Sequence, residues 1–139
     1  PYTTGLSFYE QNSVQMVEAF RVVGYWGFTA TYKGEMWYPY STFYALPWAY
    51  ALGFALPLLA CIGLLKSRRK YIPFFGLIAV AGISLMAGPA SPFGEVNLRI
   101  FGTYPLNILF RDTYQRFAPI VAMSFSLLAG AVFSGGRSE

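Results

Sequence analysis

Two arginines and an aspartate stand at the mouth of an apolar run: Arg111, Asp112 and Arg116, in the stretch Asn107-Ile-Leu-Phe-Arg-Asp-Thr-Tyr-Gln-Arg-Phe-Ala-Pro119. Guanidinium groups grip phosphate with two parallel hydrogen bonds and stay charged in a low dielectric. A helix N-terminus adds its own attraction for anions. Such a set suits a pyrophosphate or polyprenyl phosphate headgroup. A purely structural reading competes with this one. Asp112 precedes Arg116 by four residues, the favourable order for a helical ion pair, and Asp112 also suits an N-cap with Gln115 three positions on. Arginines near span ends also reach out to headgroups as anchors. This reading absorbs Asp112 and Arg116 but leaves Arg111 without a local partner. A helix begun at Thr113 carries Pro119 in its second turn, which predicts a kink or a fresh start near Pro119.

The elements that must position these residues follow from composition. Of 139 residues, 55% are hydrophobic and only 12% charged, against about 25% charged in soluble domains. A single small domain has too little interior to hide that much apolar surface. Residues 36–65, 71–94 and 117–136 contain no Asp, Glu, Lys or Arg, and each gap supplies the roughly 20 apolar residues a membrane helix needs. The expected fold is all-α: an integral membrane bundle of about three transmembrane helices, with spans near 43–65, 71–88 and 117–133. An outer-face unit over residues 1–42 precedes the transmembrane region 43–139. Residues 66–70, Lys-Ser-Arg-Arg-Lys, form the strongest topological signal. The positive-inside rule puts that loop in the cytoplasm of a multi-pass cell-membrane protein and residues 1–42 and 89–116 on the outer face.

The chain has no histidine and one cysteine, Cys61. This argues against a His/Cys zinc site and a Ser-His-Asp triad, and no metal ligand is assigned. The net charge of +4 gathers in one loop and does not suggest nucleic acid. The chain opens without Met or a signal-peptide pattern and is read as a piece of a longer polytopic protein, a processed small subunit being the alternative.

Along the chain, Asn12 and Gln15 suggest a capped helix start, and Glu18 and Arg21 an i,i+3 pair on a short amphipathic helix. That helix either lies in the membrane interface or packs as an ordinary core element. Residues 24–44 are crowded with aromatics, which suits an interfacial belt or re-entrant segment. It equally suits a surface on which sugar or isoprenoid stacks, with Tyr25, Trp26 and Trp37 as the contacts. Pro57 predicts a bend in the first span, and Gly76 and Gly82 predict close helix packing in the second. Residues 95–110 are too polar to span and are expected to lie along the outer interface.

Two stretches resemble motifs of the GT-C glycosyltransferase superfamily, in particular arabinofuranosyltransferase-like membrane proteins. One is Asn12-Ser-Val-Gln-Met-Val-Glu-Ala-Phe-Arg-Val-Val-Gly-Tyr-Trp26. The other is Ser91-Pro-Phe-Gly-Glu95 followed by Phe110-Arg-Asp-Thr-Tyr-Gln-Arg-Phe117. Thr113 stands where that family tends to have Pro. The resemblance implies a parent enzyme that transfers sugar from a polyprenyl-phosphate donor on the outer face, with Arg111 and Arg116, and more weakly Arg99, holding the phosphate. The implied partners are membrane lipid, the donor and the remaining transmembrane helices. No cofactor is assigned to this chain, and a divalent metal stays open for the parent. The family's catalytic carboxylate belongs to a first outer loop that this piece is expected to lack, and neither Glu10 nor Glu95 is tied to it. Two other classes remain: a non-catalytic subunit or scaffold, and a transporter or flippase fragment. The latter more often carries a charge in mid-span, which these three runs do not.

Overall fold

A computed structural model describes residues 13–28, 30–109 and 112–134, with only the backbone of Trp26 and Leu109. The fold is an all-α helical bundle. Seven α-helices are described: α1 Met16–Arg21, α2 Pro47–Leu52, α3 Ala55–Lys66, α4 Ile72–Ala87, α5 Gly94–Gly102, α6 Leu106–Leu109 and α7 Thr113–Phe133. A small hairpin, β1 Thr31–Tyr32 and β2 Glu35–Met36, pairs antiparallel with Tyr32 opposite Glu35. Three segments are long and apolar enough to cross a membrane: Pro47–Lys66, Ile72–Ala90 and Thr113–Phe133.

The first span is interrupted where chemistry requires it. Pro57 has no N–H to offer the Gly53 carbonyl, and its ring crowds that same group. The helix accordingly breaks at residues 53–54, between α2 and α3, with a tight turn in which Phe54 N–H donates to Ala51 O at 3.1 Å. The third span differs from expectation at its start. It begins at Thr113 and continues through Pro119 as one helix, with no fresh start at 117–119. Pro119 deprives only the Gln115 carbonyl of a donor, and Gln115 is exposed, so surroundings can supply one.

Helix α7 is the centre of the bundle, packing on both α3 and α4, while α3 and α4 touch each other little. Small residues set the approach. A Cβ on Gly63 of α3 would overlap the Leu128 carbonyl of α7, and one on Gly82 of α4 would collide with Val121. Gly63 and Leu128 both lie late in their helices, whereas Gly82 is late and Val121 early, so α7 runs parallel to α3 and antiparallel to α4. Two side-chain bonds fix the ends. Arg69 of the basic loop donates to Ser134 O at 3.4 Å, and the Tyr114 hydroxyl donates to Val22 O at 2.7 Å. The basic loop therefore sits at one end of the bundle, and residues 13–28, 30–46, 88–109 and 112 at the other. Outward faces stay apolar, with Leu65, Leu77, Phe74 and Val80 all exposed, a surface suited to lipid or to further helices.

At the second end, α1 is a packed element. Ala19 is fully buried, and the Phe20 ring meets Phe125 of α7 at 5.8 Å and Phe54 at 6.3 Å. Its N-cap is Gln15, without a side-chain cap bond; Asn12, expected to cap, lies outside the described residues. The helix stops at Val22, whose φ of 56° is unusual for a β-branched residue and costs about 1–3 kcal/mol. Three bonds hold it there: Val22 N–H to Ala19 O at 3.1 Å, Val23 N–H to Glu18 O at 3.0 Å, and the Tyr114 hydroxyl. The amphipathic α5 docks on the end of α4 through buried Asn97, whose Nδ2 donates to Ser84 O, Gly88 O and Ser91 Oγ at 2.8–3.0 Å. The hairpin was not legible as such. Its turn, Lys33-Gly34, has positive φ at both positions, 53° and 85°, which tight hairpins require.

Candidate functional site

The most unusual side chain at this end is Arg21. Its side chain is only 2% exposed and pairs with Glu18, Nη1 donating to Oε2 at 2.9 Å and Oε1 at 3.1 Å. A charge so buried survives only with partners. Arg21 has several: the guanidinium carbon lies 3.7 Å from the Tyr50 ring centroid and 5.6 Å from that of Phe54, contacts that stabilise a cation by its attraction to the ring face. Nη2 also reaches the Tyr44 carbonyl at 3.5 Å. The broken helix makes the room. A Cβ at Gly53 would stand 2.7 Å from Arg21 Nε, so a larger residue there would push the guanidinium from its place. Nε itself is covered and has no acceptor among the described residues.

Above this pair opens a cleft of about 680 Å³, within the size range of small-ligand sites. Glu18, Arg21, Tyr25, Phe28, Tyr44 and Tyr50 are among its lining residues. The rings form a connected cluster. Phe28 stacks on Tyr44 at 5.1 Å with planes 20° apart, and Tyr25 meets Phe28 edge-on at 5.9 Å. Ser41 ties the cluster down by donating from Oγ to Phe28 O at 2.7 Å. Tyr25 also contacts Tyr114 at 6.3 Å, linking the aromatic segment to the first turn of α7. The segment thus divides in two. Tyr40, Phe43, Trp37 and Trp48 face outward and are more than half exposed, as a belt would be, while Tyr25, Phe28 and Tyr44 line the cleft.

The residues singled out in the sequence are dispersed. Tyr25 lines the cleft. Trp37 stands on the outward side, 54% exposed, and packs edge-on against Tyr32 at 6.0 Å. The Trp26 side chain and all of Arg111 lie outside the described residues. Asp112 caps α7, its Oδ1 accepting from Gln115 N–H at 3.1 Å. The expected Asp112–Arg116 ion pair does not form: the carboxylate is turned to the cap, and Arg116 is exposed, on the helix face that continues through exposed Ile120, Met123 and Leu127. Arg99 is exposed near the end of α5. Neither Arg116 nor Arg99 lines the cleft. Among the described residues no three His, Cys, Asp or Glu side chains come together.

No family model, curated protein or solved structure matches this chain. What it can do is read from its own geometry.

Sequence reasoning saw Glu18 and Arg21 as a helical pair and missed their place at the base of a cleft. The signal lay in combination: an acid and a base at i,i+3, followed at once by an aromatic-rich stretch and a Gly-x-x-x-Pro break in the next helix, at residues 53–57. A cleft lined by stacked rings and a fixed carboxylate can hold a molecule having both an apolar face and hydroxyl donors.

Proposed function

We propose that this chain forms part of a multi-pass membrane glycosyltransferase that takes its sugar from a polyprenyl-phosphate donor, with the cleft beside Arg21 receiving the polar end of that donor. The observation that carries the reading is the junction of Tyr25 with Tyr114. It joins the aromatic cleft to the first turn of α7, immediately after the Arg-rich stretch, at the end of the bundle remote from the basic loop. On the positive-inside rule that end is the outer face. A lipid donor could then reach the cleft sideways from the leaflet.

In the reaction, an acceptor hydroxyl attacks the anomeric carbon while the bond from that carbon to the phosphate oxygen breaks. Polyprenyl phosphate leaves with the electron pair, and the hydroxyl proton passes to a carboxylate. Charge growing on the phosphate calls for a nearby cation, the role suggested for Arg111. No carboxylate among the described residues is assigned that role.

The test is transfer from a polyprenyl-phosphate sugar by the full-length protein in nanodiscs. Arg111→Ala is expected to lower the rate by roughly 10²–10³ without unfolding, and Arg111→Lys to fall between. Orientation is checked by labelling single cysteines at 68 and 92 in a Cys61→Ser background on intact cells. Position 92 should label from outside and position 68 should not. One observation favours a second reading, a non-catalytic scaffold: Arg116 heads an exposed apolar stripe, as an anchor would. Full transfer activity in Arg111→Ala would favour it.

A further inference from the structure

We infer that the cleft is a saccharide subsite in which Glu18 accepts hydrogen bonds from sugar hydroxyls and Arg21 fixes the position of that carboxylate. This deepens the glycosyltransferase reading and rests on it for the identity of the donor. Three observations on this chain carry it.

The first is the division of exposure within the ion pair. Arg21 is 2% exposed and Glu18 29%. The guanidinium is enclosed by Tyr50, Phe54 and Gly53, and its Nε is covered, so a ligand meets the carboxylate first. Both Glu18 oxygens accept from one nitrogen, Nη1, which leaves each oxygen further lone-pair capacity for hydroxyl donors. Hydrogen bonds to an ionised acceptor are short and about twice as strong as neutral ones.

The second is charge. Glu18 and Arg21 are the only Asp, Glu, Lys or Arg side chains among the described residues lining the cleft, and their formal charges sum to zero. A phosphate placed here would face the Glu18 carboxylate, with the arginine screened behind it. The cleft is therefore suited to the uncharged sugar, and the phosphate lies outside it. The third is the set of rings that lines the same cleft. Phe28 and Tyr44 are stacked on each other and Tyr25 meets Phe28 edge-on; a stacked ring keeps the face turned away from its partner, and an aromatic face of that kind covers the C–H face of a sugar ring.

The experiment measures binding of a panel of methyl glycosides, pentofuranosides and hexopyranosides, to the full-length protein in nanodiscs, alongside sugar-free polyprenyl phosphate. At least one glycoside should bind. Glu18→Gln should weaken it on the order of tenfold, as expected for losing a hydrogen bond to a charged group, with polyprenyl phosphate unaffected. Arg21→Lys, which keeps the charge but not the planar stack, should weaken the same glycoside. Because either change unbalances a buried pair, the double variant Glu18→Gln/Arg21→Met serves as a second arm. It replaces both ions with neutral groups of similar size, should keep a thermal midpoint near that of the unchanged protein, and should still fail to bind. Absence of binding by every glycoside, undiminished binding in Glu18→Gln, or equal loss of both ligands would overturn the inference. Transfer activity with unaltered glycoside binding in Glu18→Gln sinks the inference alone. Glycoside binding through Glu18 without any transfer sinks the glycosyltransferase reading alone.

Discussion

Arg21 and Arg116 lie at the same end of the bundle and differ in almost everything else. Arg21 is enclosed, paired with Glu18 and laid against Tyr50. Arg116 is exposed, with no carboxylate partner among the described residues, at the head of an apolar stripe. The contrast teaches that standing before a charge-free run does not distinguish a binding residue from an anchor. Enclosure does. A buried guanidinium exists only because a break at Gly53, a carboxylate one turn away and two rings were built around it, and that construction needs an explanation that a surface arginine does not.

The sharpest way to break the comparison is truncation. Arg21→Ala strands Glu18 and empties the space against Gly53, so a loss of about 3–5 kcal/mol is expected in reversible unfolding from mixed micelles. Arg116→Ala should stay within about 0.5 kcal/mol, as for other surface changes. Next come the helix contacts. Gly63→Ala and Gly82→Leu place atoms where α7 already lies and should cost about 1–3 kcal/mol each. Gly130→Ala meets nothing within 4 Å and should instead stabilise α7 by up to about 1 kcal/mol. Smaller still is Tyr114→Phe, which removes the bond to Val22 O and should cost about 0.5–1.5 kcal/mol. If it costs nothing, the Val22 turn is held by its backbone bonds alone. Asp112→Ala removes the α7 cap, at about 0.5–2 kcal/mol.

Much of the bundle was legible because a membrane helix announces itself through composition. Three charge-free runs gave the spans, Pro57 gave the interruption, and Gly82 gave a close contact. Boundaries slipped where a cap and a proline disagreed: Asp112 started α7 before Pro119, and the proline was accommodated. The site was less legible because it is made by juxtaposition. Val22 in a left-handed turn redirects the chain after α1, and the β1–β2 hairpin, coded only by Lys33-Gly34, folds the aromatic segment back. Neither carries a strong pattern, yet together they decide that Tyr25 faces the cleft and Trp37 faces away.

The central claim is that the end of the bundle around Arg21 receives the sugar of a lipid-linked donor. Photo-cross-linking tests it most directly, using a polyprenyl-phosphate sugar with a diazirine on the sugar, the full-length protein in nanodiscs and peptide mapping of the adducts. The account predicts adducts within residues 18–28 and 36–50, lost on competition with the unmodified donor. Adducts confined to residues 66–70 or to the outward face of α4, with none in the cleft, would contradict it.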